Sequence, residues 1–243
     1  MASTLSGQHD SLVRKLNDLT SLNEGDIEAL RSLPLRERHL RSGTAIVTEE
    51  QLVSECALLL RGFAFRHKLA KDGTRQIVSF HVPGDILDIQ HVLFERADHN
   101  LQVMTDADVA FIPVTALRDL IRSRARVATA LWRDCLVDAS IFREWVLNVG
   151  RRSASERVAH MLCEFVTRCM AAGVCEGPQI TLPMTQEIIA DATGLTGIHV
   201  NRVLRGLRES GLIEGAGRHF RIADWEGIQH FADFRRSYLH LAA

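Results

Sequence analysis

Side chains that could bind a polyanion are concentrated between residues 199 and 221. That stretch contains five arginines, at positions 202, 205, 208, 218 and 221, but only two acidic residues, Glu209 and Glu214. An arginine can donate two hydrogen bonds to guanine, an asparagine such as Asn201 can pair in the same way with adenine, and surplus positive charge attracts phosphate. A solvated helix face would have the same composition. Composition alone therefore does not distinguish a nucleic-acid-binding surface from a solvated helix face. The secondary structure that carries these residues is needed to distinguish them.

Two short helical patterns separated by a tight turn position these side chains. The first pattern ends before Gly194, a residue type that tolerates positive φ, and Thr196 is a good N-cap for the second. The apolar residues of the second pattern share one face: Val200, Val203, Leu204 and Leu207. The opposite face would present Gly197, Ile198, Asn201, Arg202, Arg205 and Arg208. This arrangement predicts a helix-turn-helix.

The next segment, GLIEGAGRHFRIAD, predicts two short strands with a tip at residues 215–217. A helix-turn-helix followed by such a hairpin is a winged domain, whose basic wing residues can touch the DNA backbone. We therefore expect double-stranded DNA as the partner, contacted by Thr196, Ile198, His199, Asn201, Arg202, Arg205, Arg218 and Arg221. A helical hairpin that binds nothing is the alternative.

The amino-terminal half changes from helical to strand-like spacing. Residues 11–33 predict two short helices ended by a proline, and residues 35–113 have turn signals about every ten residues. This spacing predicts an antiparallel β-roll, with Asp72 and Gly73 in one of its hairpin turns. The expected fold class is α+β.

Helical spacing returns from Thr115 to about Gly150. Apolar residues occupy more than one face of this predicted long helix, so it needs two burial partners. We expect one to be the chain's own β-roll and the other the same helix of a second subunit, as in a two-stranded coiled coil. The expected dimer contacts are Leu131, Cys135, Phe142 and Trp145. A helix enclosed within one domain is the alternative.

These elements divide the chain into three parts. We expect residues 1–123 to form the amino-terminal helices and a β-roll sensor domain, 124–150 the dimerisation helix, and 151–243 the winged helix-turn-helix domain. After the break, Ser153 and Glu156 have the spacing of a capping box that restarts a helix.

Composition excludes several classes of protein. No run approaches ~18 apolar residues and the first residues lack an apolar signal core, so neither a membrane span nor export is expected. Five cysteines without a CxxC pair favour reduced thiols over disulfides or a zinc site, and the expected compartment is the cytoplasm. We expect no metal, no other cofactor and no catalytic residue.

Taken together, these features resemble the Crp/Fnr family of transcription regulators over nearly the whole chain. The resemblance is carried by the GDILD turn at residues 84–88 after FHVP, by the long helix and by residues 185–213. It implies a cyclic-nucleotide-binding-like β-roll, a homodimer through the long helix and a winged helix that recognises a palindromic promoter site. It also implies RNA polymerase as a partner, near residues 171–179.

The resemblance also assigns roles within the second helix of the helix-turn-helix. Arg202 stands at the family's base-reading arginine, with Asn201 as its neighbour. Ile198 stands where many members have a glutamate that reads cytosine. The family's usual half-site is therefore not expected here.

The β-roll departs from members that bind cyclic AMP. Their arginine-serine pair for the phosphate corresponds to His99 and Asn100, and their ribose-binding glutamate to Ile89. Because a buried phosphodiester needs a paired cation, cyclic AMP is not expected to bind. The roll is expected either to be filled by its own side chains or to take a neutral or apolar effector. The candidate pocket residues are Phe63, Phe65, Ile89, His99, Asn100 and Phe142.

Two other functions are alternatives, a cupin-like enzyme and a ligand-binding module whose carboxyl-terminal domain contacts only proteins. The enzyme needs a metal cluster or an activated nucleophile, yet the sequence has neither an HxH motif with a downstream glutamate nor a GxSxG motif. The binding module would fail to shift promoter DNA at low salt.

Overall fold

A computed structural model describes residues 5–216 and 219–241 of the 243-residue chain. Contacts divide the described residues into two compact units. The first contains the chain up to Arg66, His81–Ala139 and Leu241, and the second contains His67–Phe80 and Ser140–His240. A hairpin tip from the β-roll stretch thus belongs to the second unit. The three-part division expected from the sequence stays a prediction.

The first unit begins with helices α1 (Leu5–Leu19) and α2 (Glu24–Arg31). A capping box starts α2, in which the Asn23 side chain accepts from the Asp26 N–H and the Asp26 carboxylate accepts from the Asn23 N–H. The buried residues of both helices share a core cluster with the β-roll, which includes Leu16, Leu30, Leu58 and Ile112.

Seven strands of the described residues form an antiparallel β-roll, which confirms the predicted fold class. They are β1 (Arg36–Leu40), β2 (Ala45–Val47), β3 (Glu55–Arg61), β4 (Ala64–Leu69), β5 (Arg75–His81), β6 (Asn100–Val103) and β7 (Ala107–Pro113). One sheet has the order β1-β7-β3 and the other β2-β6-β4-β5. Between β3 and β4, Gly62 has a φ of 84°, and a Cβ there would stand 2.4 Å from the Asp106 carbonyl oxygen, so only glycine fits.

A break at Arg124 separates α3 (Val114–Ser123) from the long helix α4 (Ala125–Arg151). The most exposed apolar side chains of α4 are 52–64% exposed: Trp132, Leu136, Phe142 and Val146. Leu131 and Trp145 are only 4% and 6% exposed and are buried within the chain itself. This burial disfavours Leu131 and Trp145 as contacts with a second subunit, and the dimer contacts stay a prediction. The periodicity of the two apolar faces of α4 can be read from the sequence. The sequence does not show which of the two faces packs against the rest of the chain.

The second unit contains the carboxyl-terminal elements. They are α5 (Ala154–Ala171), α6 (Gln186–Thr193), α7 (Gly197–Glu209), β8 (Ile213–Ala216), β9 (His219–Ile222) and α8 (Trp225–Phe231). Ser153 and Glu156 form the predicted capping box. Before α6, the Leu182 N–H donates to the Phe220 carbonyl at 3.0 Å, but no ladder continues into Pro183, which lacks an N–H. None of the helices in the described part of the chain has the length and apolar character needed to cross a bilayer.

A buried carboxylate joins three segments of the second unit. Glu164 on α5 is 2% exposed and accepts hydrogen bonds from Trp145 Nε1 at 2.9 Å and from the Tyr238 hydroxyl at 2.8 Å. Burial raises the pKa of Glu164, an effect that the charge of Arg168, 4.0 Å away, opposes. Trp145 also packs edge to face on Phe80, with ring centroids 5.7 Å apart. These contacts fix α4 and the carboxyl-terminal segment on α5.

Candidate nucleic-acid interface

The helix-turn-helix consists of α6, a left-handed turn and α7. Thr185 caps α6 by accepting from the Ile188 N–H, and Gly194 ends that helix with a φ of 65° and a ψ of 34°. Thr196 caps α7 by accepting from the His199 N–H at 3.3 Å. The predicted helix-turn-helix is thereby confirmed. The buried face of α7 carries Val200, Val203, Leu204 and Leu207.

The opposite face of α7 borders a hollow of about 410 Å³ on the protein surface. Its walls are Gln186, Gly197, Ile198, Asn201, Arg202 and Arg205. Arg202 and Arg205 are both exposed, and Arg205 lies 4.0 Å from Glu209. An exposed pair at this distance is weak, so the guanidinium groups can turn to an anionic partner at little cost. The structure thus brings four of the predicted contact residues to one surface.

Gln186 belongs to this hollow but was not singled out from the sequence. It is the first residue of α6, and its Oε1 accepts a hydrogen bond from Asn201 Nδ2 at 3.4 Å. A glutamine side chain can bind either phosphate or a base edge. The available signal was its position directly after the N-cap Thr185, since the start of the first helix lies beside the second helix in this motif.

The predicted wing is confirmed as the β8–β9 hairpin, in which Glu214 pairs with Arg221. Arg221 Nε donates to Glu214 Oε1 at 2.7 Å, and both side chains are about half exposed, at 51% and 50%. Such an exposed pair is readily exchanged for a phosphate contact. Arg218 and the side chain of His219 lie outside the described residues. At the other end of the site, Thr196 is exposed and His199 half-buried.

The hairpin between β4 and β5 is tied to α6 by an ion pair. Arg75 Nε donates to Asp191 Oδ2 at 2.6 Å, and Arg75 Nη2 lies 3.6 Å from Glu187 Oε1. The side chains of Arg75 and Asp191 are only 24% and 20% exposed, so salt screens this pair less than one on the open surface. The pair therefore helps to hold α6 in place.

Two further side chains bind the carbonyl groups at the end of α6. Gln76 Nε2 donates to the Ala192 oxygen at 3.3 Å, and Arg157 Nη1 donates to the Thr193 oxygen at 2.7 Å. The last carbonyl groups of a helix have no partner within it, so these bonds fix the point where the chain turns toward α7. The placement of α7 thus depends on residues outside the helix-turn-helix itself.

Reversing the charge of residue 75 should weaken DNA binding, and reversing its partner should restore it. In Arg75→Glu the new carboxylate would face Asp191 and Glu187, and we expect about tenfold weaker binding to a specific duplex, since like charges in contact repel. The double variant Arg75→Glu/Asp191→Arg should recover most of the affinity, as measured by fluorescence anisotropy. An unaffected Arg75→Glu variant, or a double variant as weak as the single one, would contradict this positioning role.

The candidate effector residues of the first unit differ in exposure. Phe65 and His99 are buried, whereas Phe63, Ile89 and Asn100 are half-buried. Phe142 is 53% exposed on α4, which fits its assignment to the dimer contacts better than its assignment to a pocket. Among the described residues, no group of three or more histidine, cysteine or acidic side chains is placed to hold a metal ion.

His99 and Arg66 are the groups in this part of the β-roll that could pair with an anionic ligand. His99 Nδ1 lies 2.6 Å from Asp98 Oδ1, and burial together with the charge of Arg66 lowers the pKa of His99 to about 4. The ring is therefore neutral at pH 7. Arg66 already donates through Nη1 to Asp138 Oδ2 at 3.0 Å and through Nη2 to the Leu87 carbonyl at 2.6 Å, whereas its buried Nε has no hydrogen-bond partner among the described residues.

Comparison with known families matches both halves of the chain. A cyclic nucleotide-binding domain model matches residues 37–124, and a Crp-like helix-turn-helix domain model matches residues 156–231. The solved structure of FixK2 from Bradyrhizobium japonicum has a TM-score of 0.74 at 26% identity and covers 82% of this chain and 98% of that one.

Proteins of similar sequence include a regulation protein and a transcriptional activator. The nitrogen fixation regulation protein FixK of Rhizobium meliloti (strain 1021) is 30% identical over 196 residues, which cover 77% of this chain and 84% of that relative. The transcriptional activator protein FnrA of Stutzerimonas stutzeri is 26% identical over 208 residues, which cover 86% and 85% respectively. The chain therefore belongs to the Crp/Fnr family of DNA-binding transcription regulators and not to a family of enzymes.

Proposed function

We propose that this regulator binds a palindromic promoter site as a homodimer and does not respond to cyclic AMP. The observation that carries the proposal is the exposed basic hollow on α7. In a helix-turn-helix the amino-terminal residues of the second helix contact base edges. We propose that Arg202 and Asn201 contact bases and that Arg218 and Arg221 contact phosphates. Thr196, as the N-cap of α7, would place the N-terminus of that helix near the DNA backbone.

Arg202→Ala should lose about 1 to 3 kcal/mol of binding free energy on a specific duplex and relax specificity at one position per half-site. The specific duplex is selected by the protein from a random pool, and affinities for it and for a scrambled duplex are measured at several salt concentrations. Arg218→Ala should instead weaken both duplexes alike and lower the salt slope by about one.

The control for Arg202→Ala is Arg122→Ala, which removes an exposed arginine of α3 outside the proposed surface. Equal losses on the specific and scrambled duplexes for Arg202→Ala would contradict its base-reading role. Failure of the wild type to bind any duplex at low salt would contradict DNA binding altogether.

The exposed stripe of α4 supports the homodimer. Its apolar positions repeat every seven residues, as in a two-stranded coiled coil. One row is Trp132, Ala139 and Val146, and the other is Cys135, Phe142 and Val149. Cys135 and Phe142 thus remain proposed contacts, with Trp132 and Val146 in place of the buried Leu131 and Trp145.

RNA polymerase is the proposed second partner. The segment at residues 171–179, from the end of α5 into the loop before α6, corresponds by family resemblance to the place where activators touch the polymerase. Its one large apolar side chain, Val174, is 37% exposed.

Neither cyclic AMP nor cyclic GMP should bind at micromolar concentration. Lys15 is paired with Asp85 at 2.8 Å, Arg66 is paired with Asp138 at 3.0 Å, Arg96 donates to the Glu50 carbonyl, and His99 is neutral. A buried phosphodiester would therefore have to take a cation from one of these existing partners. Isothermal titration with each nucleotide, beside operator-binding curves with and without it, tests this expectation. A shift in operator affinity beyond about tenfold would contradict it.

A further inference from the structure

We infer that Ile198 reads the C5-methyl group of a thymine in each half-site, close to the base pair that Arg202 reads. This inference rests on the proposed function, because it concerns the same face of α7. Ile198 is 79% exposed, more than any other large apolar side chain among the described residues whose exposure is given. It lines the hollow together with Asn201 and Arg202, whereas the packing residues of α7 lie on the opposite face.

The position of Ile198 brings it close to the bases. It is the second residue of α7, two positions after the cap Thr196, where a recognition helix meets base edges. Arg202 follows one turn later on the same face, ~6 Å along the helix axis. Because bases repeat every ~3.4 Å along a strand, the two side chains address base pairs one or two steps apart. Beside Ile198, a Cβ on Gly197 would meet nothing within 4 Å, so this end of α7 is open to a base.

The chemistry of isoleucine selects one feature of the major groove. Its side chain has neither donor nor acceptor, and the thymine methyl is the apolar group that the groove displays. Against a cytosine amino group or the polar edge of a purine, the same side chain would displace water without replacing its hydrogen bonds. Ile198 thus favours thymine by the contact it makes and disfavours the other bases by the hydrogen bonds it cannot offer.

The test replaces thymine by uracil, which pairs in the same way but lacks the methyl group. Starting from the selected duplex, each thymine of one half-site is replaced in turn by deoxyuridine, and binding of the full-length protein is measured by fluorescence anisotropy. One position within two steps of the base pair read by Arg202 should lose about fourfold in affinity, the equivalent of about 0.8 kcal/mol for one buried methyl group.

The variant Ile198→Ala should abolish the difference between thymine and uracil at that position and leave the other positions unchanged. The control Leu93→Ala truncates another strongly exposed side chain, 75% exposed in the β-roll, and should preserve the difference. A half-site that is insensitive to uracil throughout, or a difference that survives in Ile198→Ala, overturns the inference. The effect of Arg202→Ala would then still support the proposed function. A wild type without any specific binding would contradict both the inference and the proposed function.

Discussion

The variant Val146→Glu should be monomeric and should bind a palindromic operator 10²- to 10⁴-fold more weakly than the wild type. Val146 is 60% exposed in the carboxyl-terminal half of the apolar stripe of α4, and a glutamate there would have to be buried between two helices without a cationic partner. The two half-sites, roughly 34 to 36 Å apart, need two recognition helices. A monomer loses the high effective concentration that links them.

Sedimentation at micromolar concentration measures the oligomeric state. Fluorescence anisotropy with a full operator and with a single half-site measures how much affinity is gained when both half-sites are bound together. Arg126→Glu is the matched control, since it places the same charge at an exposed position of the same helix away from the stripe. We expect this control to stay dimeric. A wild type that sediments as a monomer, or a Val146→Glu variant that sediments as a dimer, would contradict the proposed interface.

The variant Trp145→Ala should lower the free energy of unfolding by about 3 to 5 kcal/mol. Trp145 is 6% exposed and packs on Phe80, so truncation leaves a cavity that the surroundings fill only in part. It also removes a hydrogen-bond donor from the Glu164 carboxylate, which stays buried. Urea denaturation followed by circular dichroism measures the change.

Trp132 provides the comparison, because the same residue type on the same helix is 64% exposed. In the Val146→Glu background, which removes the dimer contribution, Trp132→Ala should change the free energy of unfolding by less than about 0.5 kcal/mol. Similar costs for the two tryptophans would contradict the assignment of opposite roles to them.

Local signals explain what the sequence predicted correctly. The caps at Ser153 and Thr196 and the left-handed Gly194 depend on a few adjacent residues, so the starts of α5 and α7 and the helix-turn-helix followed from residue types alone. The break at Arg124 between α3 and α4 was not predicted, since helical spacing runs through it. The β-roll followed in the same way from regularly spaced turn residues. The basic face of α7 followed from helical periodicity once its apolar residues were known.

The features that the sequence did not predict depend on tertiary contacts. The apolar faces of α4 are equivalent in periodicity, so the burial of Leu131 and Trp145 depends on elements far away in the chain. Arg75 and Asp191 are 116 positions apart, and no local pattern links them. Gln186 acquires its place beside Asn201 only when the turn brings α6 and α7 together.

In a chimeric regulator that combines this protein with another family member, the position of the junction between the two sequences would matter. The residues that hold the end of α6 include Arg75 and Gln76, which precede the long helix by some fifty positions. A fusion that transplanted only residues 151–240 onto a foreign sensor would leave the Asp191 carboxylate and the Ala192 carbonyl without these partners. Chimeras made from this chain should therefore exchange residues 67–80 together with the carboxyl-terminal part, or choose recipients whose hairpin carries a cation at the corresponding position.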